Sequence, residues 1–157
     1  MPNNVKRRYF CTATVLLLLT IASTSAGAES GAGLFLGRWT ILNDRQGLSD
    51  QQRPYKIIDV VPCEGHICGI SVSDTGDCGS VLFRHLTLHE GPLGLFMDGS
   101  GKWGKDSLTL RIIRLEDAPQ IRVFLSRFTV GTGNEGTRTV EYRETYRRMA
   151  DAACSTT

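Results

Sequence analysis

The chain is dominated by short stretches in which apolar and polar residues alternate, and it lacks helical periodicity. In residues 107–115, for example, Leu108, Leu110 and Ile112 fall on one side and Arg111 on the other. Because successive side chains of a strand point to opposite faces, this pattern predicts strands with one buried face. The alternation therefore predicts a fold built from sheets.

Eight such stretches follow one another, separated by Gly, Asp, Ser and Pro. They cover residues 33–42, 55–61, 68–73, 81–88, 93–97, 107–115, 120–130 and 137–148. Short connections between successive strands favour an antiparallel meander, and eight strands can close into a small barrel without exposed edges. We therefore expect an all-β fold, a small antiparallel β-barrel of about eight strands, with a β-sandwich as the alternative.

Three local features refine this prediction. Ile113 and Leu115 break the alternation of their strand, which predicts a β-bulge. In the last strand, Val140 is expected on the buried face together with the tyrosines at positions 142 and 146. Residues 149–153 are the one candidate for a helical turn.

The first 28 residues have the pattern of an export signal. Three basic residues precede an apolar run, and Ala26 and Ala28 fit a signal-peptidase site. The run is too short to span a membrane comfortably, and small residues rather than a charged stop follow it. We expect cleavage near Ala28, which leaves residues 29–157 as a single periplasmic or secreted domain without stable membrane insertion.

Export also determines how the cysteines are interpreted, because cleavage removes Cys11 and leaves four. In an oxidising compartment, four cysteines predict two disulfides. We favour a bond between Cys63 and Cys68, which closes a hairpin loop, and one between Cys78 and Cys154, which joins the tail to the middle of the fold. Pairing of Cys63 or Cys68 with Cys78 remains open.

The charge of the chain gives no general attraction to nucleic acid. After cleavage it holds 15 basic and 16 acidic residues, of which residues 101–157 hold 10 and 7. One basic face is possible, although a mixed, solvated surface is the simpler expectation. There is no basic stretch interleaved with aromatic residues, and we expect no nucleic-acid partner.

Two short motifs resemble catalytic or cofactor sequences. Gly131 to Gly136 match G-x-G-x-x-G, but dinucleotide binding needs a helix after the motif and strand-like residues follow here. Gly76 to Gly79 resemble the nucleophile turn of chymotrypsin-like cysteine proteases, which need two barrels and a distant histidine. A hairpin loop and a disulfide cysteine in a turn are the better interpretations.

Two sets of side chains could be considered metal ligands from their residue types. Zinc could in principle be held by Cys63, His66, Cys68 and Cys78. The paired Cys-x-x-Cys spacing is absent, and export favours disulfides. On a strand, His85 and His89 lie about 13 Å apart, too far to share an ion. We expect surface histidines, no metal and no cofactor.

Gly37-x-Trp39 on the first strand and Tyr146-x-Arg148 on the last resemble the signature of lipocalin-like barrels. The resemblance implies that these residues close one end of the barrel, with the indole of Trp39 at its centre. It also implies that an arginine packs across the indole, a contact of about 0.5–2 kcal/mol, and assigns this role to Arg148 by strand position.

The stretch from Ile57 to Gly69, taken with Gly37 to Trp39, is similar to a family of small exported bacterial proteins, domain of unknown function 2147. The resemblance covers most of residues 34–148. It implies an exported β-barrel and supplies no activity.

These observations lead to three functional hypotheses. The first is a non-enzymatic periplasmic binding module for a small apolar ligand that enters the open end of the barrel. It fails if the interior is filled by Trp39, Leu108, Leu110, Val123, Tyr142 and Tyr146. The alternative is a protein-binding envelope factor such as a protease inhibitor. The third is a hydrolase in which His66, His85 or His89 lies close to a carboxylate.

Overall fold

The structure is a computed structural model that describes residues 31–43, 47–92, 94–116, 118–130 and 136–156. The predicted leader with its cleavage site and Cys11 lies outside these residues. So do residues 131–135 of the glycine motif. Export and cleavage therefore stay predictions.

Eight antiparallel strands form a closed barrel, in which each strand pairs with the next and the last pairs with the first. The strands are β1 (Gly37–Ile41), β2 (Ile57–Cys63), β3 (His66–Val72), β4 (Cys78–Gly91), β5 (Gly94–Trp103), β6 (Asp106–Leu115), β7 (Gln120–Val130) and β8 (Gly136–Ala150). Two short 3-10 helices, Gly31–Phe35 and Arg53–Tyr55, lie before and after β1. The predicted all-β barrel is confirmed.

Most strand ends differ from the sequence prediction by one to three residues, and the largest differences are at the start of β1 and the end of β5. Strand β1 begins at Gly37, four residues after the predicted start, because Gly31–Phe35 is a 3-10 helix and not part of the sheet. Strand β5 continues to Trp103, well beyond residue 97. Gly101 lies within this strand, and a Cβ there would come within 2.7 Å of the side chain of Leu125. The missing side chain makes room for a core residue.

The predicted bulge and helical turn are both wrong. Strand β6 keeps an uninterrupted register with both neighbours, so Ile113 stays on the outer face. Register shifts occur between other strands, and one in β8 bears on the surface described below. There Leu125 pairs with Tyr142 and Ser126 with Val140, which leaves the residue between them unpaired. This bulge turns Val140 outward, where its side chain is 51% exposed. Strand β8 then runs to Ala150, and residues 151–156 have no regular structure.

The barrel interior holds the main hydrophobic core. It is formed by Phe35, Trp39, Ile41, Tyr55, Ile58, Val60, Ile67, Leu82, Phe83, Leu86, Met97, Trp103, Leu108, Leu110, Ile112, Ile121, Val123, Leu125, Tyr142 and Tyr146. These side chains come from all eight strands and from both 3-10 helices. An eight-stranded barrel is wide enough to be filled by side chains or to hold one small ligand, and here side chains fill it.

A second, smaller apolar cluster lies outside the barrel, where the C-terminal tail covers β2 and β3. Its members are Val61, Cys63, Cys68, Ile70, Val72 and Cys154, with Ile57 and Ala152 at its margin. Both favoured disulfides are present, with Cα atoms 5.9 Å apart for Cys63–Cys68 and 5.7 Å apart for Cys78–Cys154. The second bond fastens the tail over the cluster.

A fully buried carboxylate, that of Asp59, also holds the tail in place. Arg38 on the neighbouring strand donates to both of its oxygens, at 2.7 and 2.9 Å. The backbone amides of Ala153 and Cys154 each donate to Oδ2 at 2.9 Å. Burial would raise the pKa of Asp59, but these hydrogen bonds outweigh it and hold the pKa below its usual range.

We expect the two disulfides to contribute unequally to stability. Cys78 and Cys154 are 76 residues apart and Cys63 and Cys68 only 5, so the chain-entropy relation gives about 4–5 and about 2 kcal/mol. The check is to compare the free energies of unfolding in urea of two variants, one with Cys63 and Cys68 replaced by Ser and one with Cys78 and Cys154 replaced by Ser. An equal loss in both variants would contradict it.

We expect Asp59→Asn to lower the free energy of unfolding by about 3 kcal/mol at pH 7, because it leaves Arg38 without its buried partner. Since the pKa of Asp59 is lowered on folding, its contribution is present above the usual value of 3.8 and is lost as the pH falls below it. Unfolding curves of the wild type and the variant should therefore converge between pH 4 and the acid limit of folding. A constant difference down to pH 2 would contradict the prediction.

Candidate functional site

The end of the barrel at which a ligand would enter is closed by aromatic side chains. The 3-10 helix Arg53–Tyr55 places Tyr55 inside this end. Its ring centroid lies 5.9 Å from that of Trp103 and 5.4 Å from that of Tyr142, and the latter two are 5.3 Å apart. All three are at most 9% exposed. We call these three residues the aromatic plug.

Hydrogen bonds fix the aromatic plug to the barrel wall. The hydroxyl of Tyr55 donates to the carbonyl of Lys102, and that of Tyr146 donates to the carbonyl of Tyr55. The hydroxyls of Tyr142 and Tyr146 are hydrogen-bonded to each other at 2.7 Å. Burial raises the pKa of all three tyrosines, so their hydroxyls stay protonated and act as structural groups.

The opposite end of the barrel is closed around Trp39, which is fully buried. Its Nε1 donates to the carbonyl of Phe35 at 2.8 Å, which draws the 3-10 helix over the end. The guanidinium carbon of Arg114 lies 5.8 Å from the ring centroid. The arginine across the indole is therefore Arg114 of β6 and not Arg148, as the lipocalin resemblance had assigned it. Burial and the nearby charge of Arg148 lower the pKa of Arg114.

Arg148 lies beside Gly37 instead. A Cβ on Gly37 would be 2.7 Å from Nε of Arg148, and its φ of +129° is one that residues with side chains rarely adopt. Arg148 also forms an ion pair with Asp151 at 2.7 Å. The Gly-x-Trp pattern is thus explained by close packing at this end of the barrel.

The small-ligand hypothesis fails if six named side chains fill the interior, and all six are buried there. Trp39, Leu110, Val123 and Tyr146 have no exposed surface, and Leu108 and Tyr142 are 4% and 3% exposed. Together with Tyr55 and Phe35 near the two ends, these side chains make the inside of the barrel a packed core.

The three histidines lie on the surface. The ring centroids of His66 and His85 are 4.9 Å apart, and His89 stacks on Phe96 at 5.1 Å. In the part of the chain that the structure describes, none of the ion pairs joins a histidine to a carboxylate. Nor do these described residues contain three or more His, Cys, Asp or Glu side chains grouped to hold a metal ion.

The three cysteines that could have served as zinc ligands, Cys63, Cys68 and Cys78, all form disulfide bonds. Cys78 in the turn that resembles a protease nucleophile is bonded to Cys154. Strand β4 begins at this residue, so the turn leads into a strand and fastens the tail. These sulfurs hold the fold together.

The outer surface of β7 and β8 carries a cluster of arginines that we call the arginine face. It consists of Arg122 and Phe124 of β7 and Arg138, Val140, Arg143 and Arg147 of β8. Register places them on one side, because Arg143 pairs with Phe124, and Val140 pairs with the outward Ser126. The four residues from β8 are exposed, and the two from β7 are half-buried.

Neighbouring side chains hold three of these arginines against the sheet. Nε of Arg138 donates to Oγ of Ser126 at 2.7 Å, and Nε of Arg122 lies 3.4 Å from Oγ1 of Thr145. The guanidinium of Arg143 lies over the ring of Phe124, 5.6 Å from its centroid. The guanidinium groups are thus positioned by neutral partners.

The acidic residues of β8 point away from the arginine face. Glu141 lies at the bulge, and its carboxylate is 3.4 Å from Arg127, which also pairs with Asp106 at 2.7 Å. Glu144 is paired with the inward Val123. Among the residues that the structure describes, no carboxylate forms an ion pair with an arginine of the arginine face.

A cleft of about 240 Å³ opens between the arginine face and β6. Its walls include the apolar side chains of Ile113, Phe124 and Val140. Arg111 borders it and is itself neutralised by Asp98, through two hydrogen bonds of 2.7 Å. The cleft combines an apolar floor with a cationic rim.

From the sequence, a basic face was one of two possibilities, and a mixed, solvated surface was the other. The excess of basic residues after position 100 was the only feature that pointed to a basic face. The side of the sheet on which Arg138 lies depends on the bulge in β8, and alternation alone misplaced Val140 there.

No protein-family model, curated protein or solved structure matches this chain. Membership in the family of domain 2147 accordingly stays a prediction. Within the described residues, no helix is both long and apolar enough to cross a membrane.

We expect Tyr146→Phe to lower the free energy of unfolding by about 1–3 kcal/mol, because it leaves the buried carbonyl of Tyr55 without its donor. Tyr142→Phe is the matched control, since its hydroxyl is bonded only to that of Tyr146. Chemical denaturation should show the larger loss for the first variant. The reverse order would contradict this account of the aromatic plug.

Proposed function

We propose that this protein is an exported, non-enzymatic binding module that recognises a protein partner with its outer surface. The observation that carries the proposal is the filled interior behind the aromatic plug, which argues against a ligand inside the barrel. Of the two binding hypotheses drawn from the sequence, this favours the protein-binding envelope factor over the carrier of a small apolar ligand.

The covalent links of the fold support the same proposal. Two disulfides and a fastened tail are consistent with an oxidising compartment, and with the leader pattern they support export. They also make the barrel a rigid scaffold, on which exposed side chains keep fixed positions. Rigid surfaces lose little entropy on binding and suit recognition of another protein.

The non-enzymatic part of the proposal rests on the groups that acid–base chemistry would use. His66 and His85 contact each other, and His89 contacts a phenylalanine. The buried carboxylate of Asp59 is fully engaged by Arg38 and two amides. General acid–base catalysis requires such groups within reach of one substrate.

The test compares small-molecule and protein binding by the mature protein. We expect a neutral apolar fluorophore such as N-phenyl-1-naphthylamine to show no saturable binding to the wild type. Tyr142→Ala removes one ring of the aromatic plug and should create a site for the same fluorophore, which serves as the positive control. Affinity capture from the host's periplasm should yield a protein that rebinds after purification.

Saturable fluorophore binding by the wild type, displaced by fatty acids at one equivalent, would overturn the proposal in favour of the small-ligand carrier. Failure to recover any partner that rebinds in purified form would also contradict it.

A further inference from the structure

We infer that the arginine face binds an acidic segment of a protein partner, with one apolar side chain of that segment in the cleft beside Val140. This inference rests on the proposed function and names its surface and the chemistry of its partner.

The charge of the arginine face is the first argument. Four arginines project from the same side of two paired strands, and no described carboxylate neutralises them. The mature chain as predicted holds slightly more acidic than basic residues, so this concentration of positive charge is local. Like charges on adjacent strands repel each other, and an acidic partner relieves that repulsion.

The fixed positions of the guanidinium groups favour a polypeptide over a membrane. Ser126, Thr145 and Phe124 each hold one arginine against the sheet. A guanidinium fork fixed in this way suits carboxylates at defined spacings, through paired hydrogen bonds. Attraction to an anionic membrane needs only charge, which lysines supply equally well, and the arginine face contains no lysine.

The size of the cleft favours a single side chain. At about 240 Å³ it is smaller than the roughly 300–1,000 Å³ of pockets for small molecules. Ile113, Phe124 and Val140 provide an apolar wall, and Arg111 and Arg138 border it. An apolar anchor surrounded by polar contacts is the usual arrangement at the centre of a protein interface.

The register of β7 and β8 indicates how the segment is recognised. Among the described residues, β1 pairs with β8 only over residues 146–150, and β6 pairs with β7 only over residues 120–126. The rest of these two strands pair only with each other, and their outward side chains form the surface across which the segment lies.

The experiment uses three fluorescein-labelled peptides of twelve residues and measures anisotropy with the mature protein. The first is rich in Asp and Glu with one central Phe, the second has Ser in place of the Phe, and the third has Lys in place of every acid. We expect the first to bind, the second to bind at least threefold more weakly, and the third not to bind. Raising the salt from 50 to 300 mM should weaken the first complex.

Two double variants with the same change of charge separate the arginine face from the rest of the surface. Arg138→Gln with Arg143→Gln should weaken binding of the first peptide at least tenfold. Arg53→Gln with Arg84→Gln, which changes exposed arginines in the 3-10 helix after β1 and on β4, should leave it within twofold. Circular dichroism and Tm establish that both variants are folded.

Three outcomes would overturn the inference: no binding of the acidic peptide at 1 mM protein, equal binding of the basic one, or loss of binding in both double variants alike. Binding to phosphatidylglycerol vesicles that depends on Arg138 and Arg143, without peptide binding, would assign the surface to a membrane instead. In each case a captured partner that still rebinds would leave the proposed function intact.

Discussion

The packing of side chains across an eight-stranded barrel is the constraint from which the rest of this structure follows. A barrel of eight strands can be filled by its own side chains or can hold one small ligand, and here side chains from every strand form the core. Here inward glycines such as Gly101 are covered by larger neighbours, and Tyr55 enters from the loop side. These side chains thereby make the inside of the barrel a packed core that stabilises the fold.

The outer surface over β2 and β3 differs from that over β7 and β8. Over β2 and β3 it is covered by the tail, which gives these strands apolar residues on both faces and so explains the nearly continuous apolar run there. Asp59 lies among them because a carboxylate with four hydrogen bonds can be buried, whereas an unpaired one cannot. Over β7 and β8 the surface is uncovered and carries the arginine face.

The features that sequence reasoning predicted depend on local patterns. Alternation identified eight strands, and the even number of cysteines left by export, with their spacing, indicated the pairs Cys63–Cys68 and Cys78–Cys154. The features that it missed depend on three-dimensional register. A single unpaired residue in β8 decided that Val140 is outside, and Arg114 reaches Trp39 from a strand that is distant in sequence.

The partners of Asp59 could not be predicted from the sequence either. In the sequence it is one acid in an apolar stretch, and nothing nearby indicates that residues 153 and 154 donate to it. Its partners come together only once the barrel has closed and the tail has folded back. Burial would normally raise the pKa of such a group, so its lowered pKa depends on the completed tertiary structure.

The bulge in β8 links the fold to the proposed partner. With regular alternation, Glu141 would point outward beside Arg143 and Val140 would point into the core. The extra residue reverses this arrangement: it turns Glu141 to Arg127 and brings Val140 to the surface next to Phe124. One local irregularity thus removes a carboxylate from the arginine face and adds an apolar side chain to it. Both changes make the surface more complementary to an acidic segment with an apolar anchor, and neither improves the packing of the core.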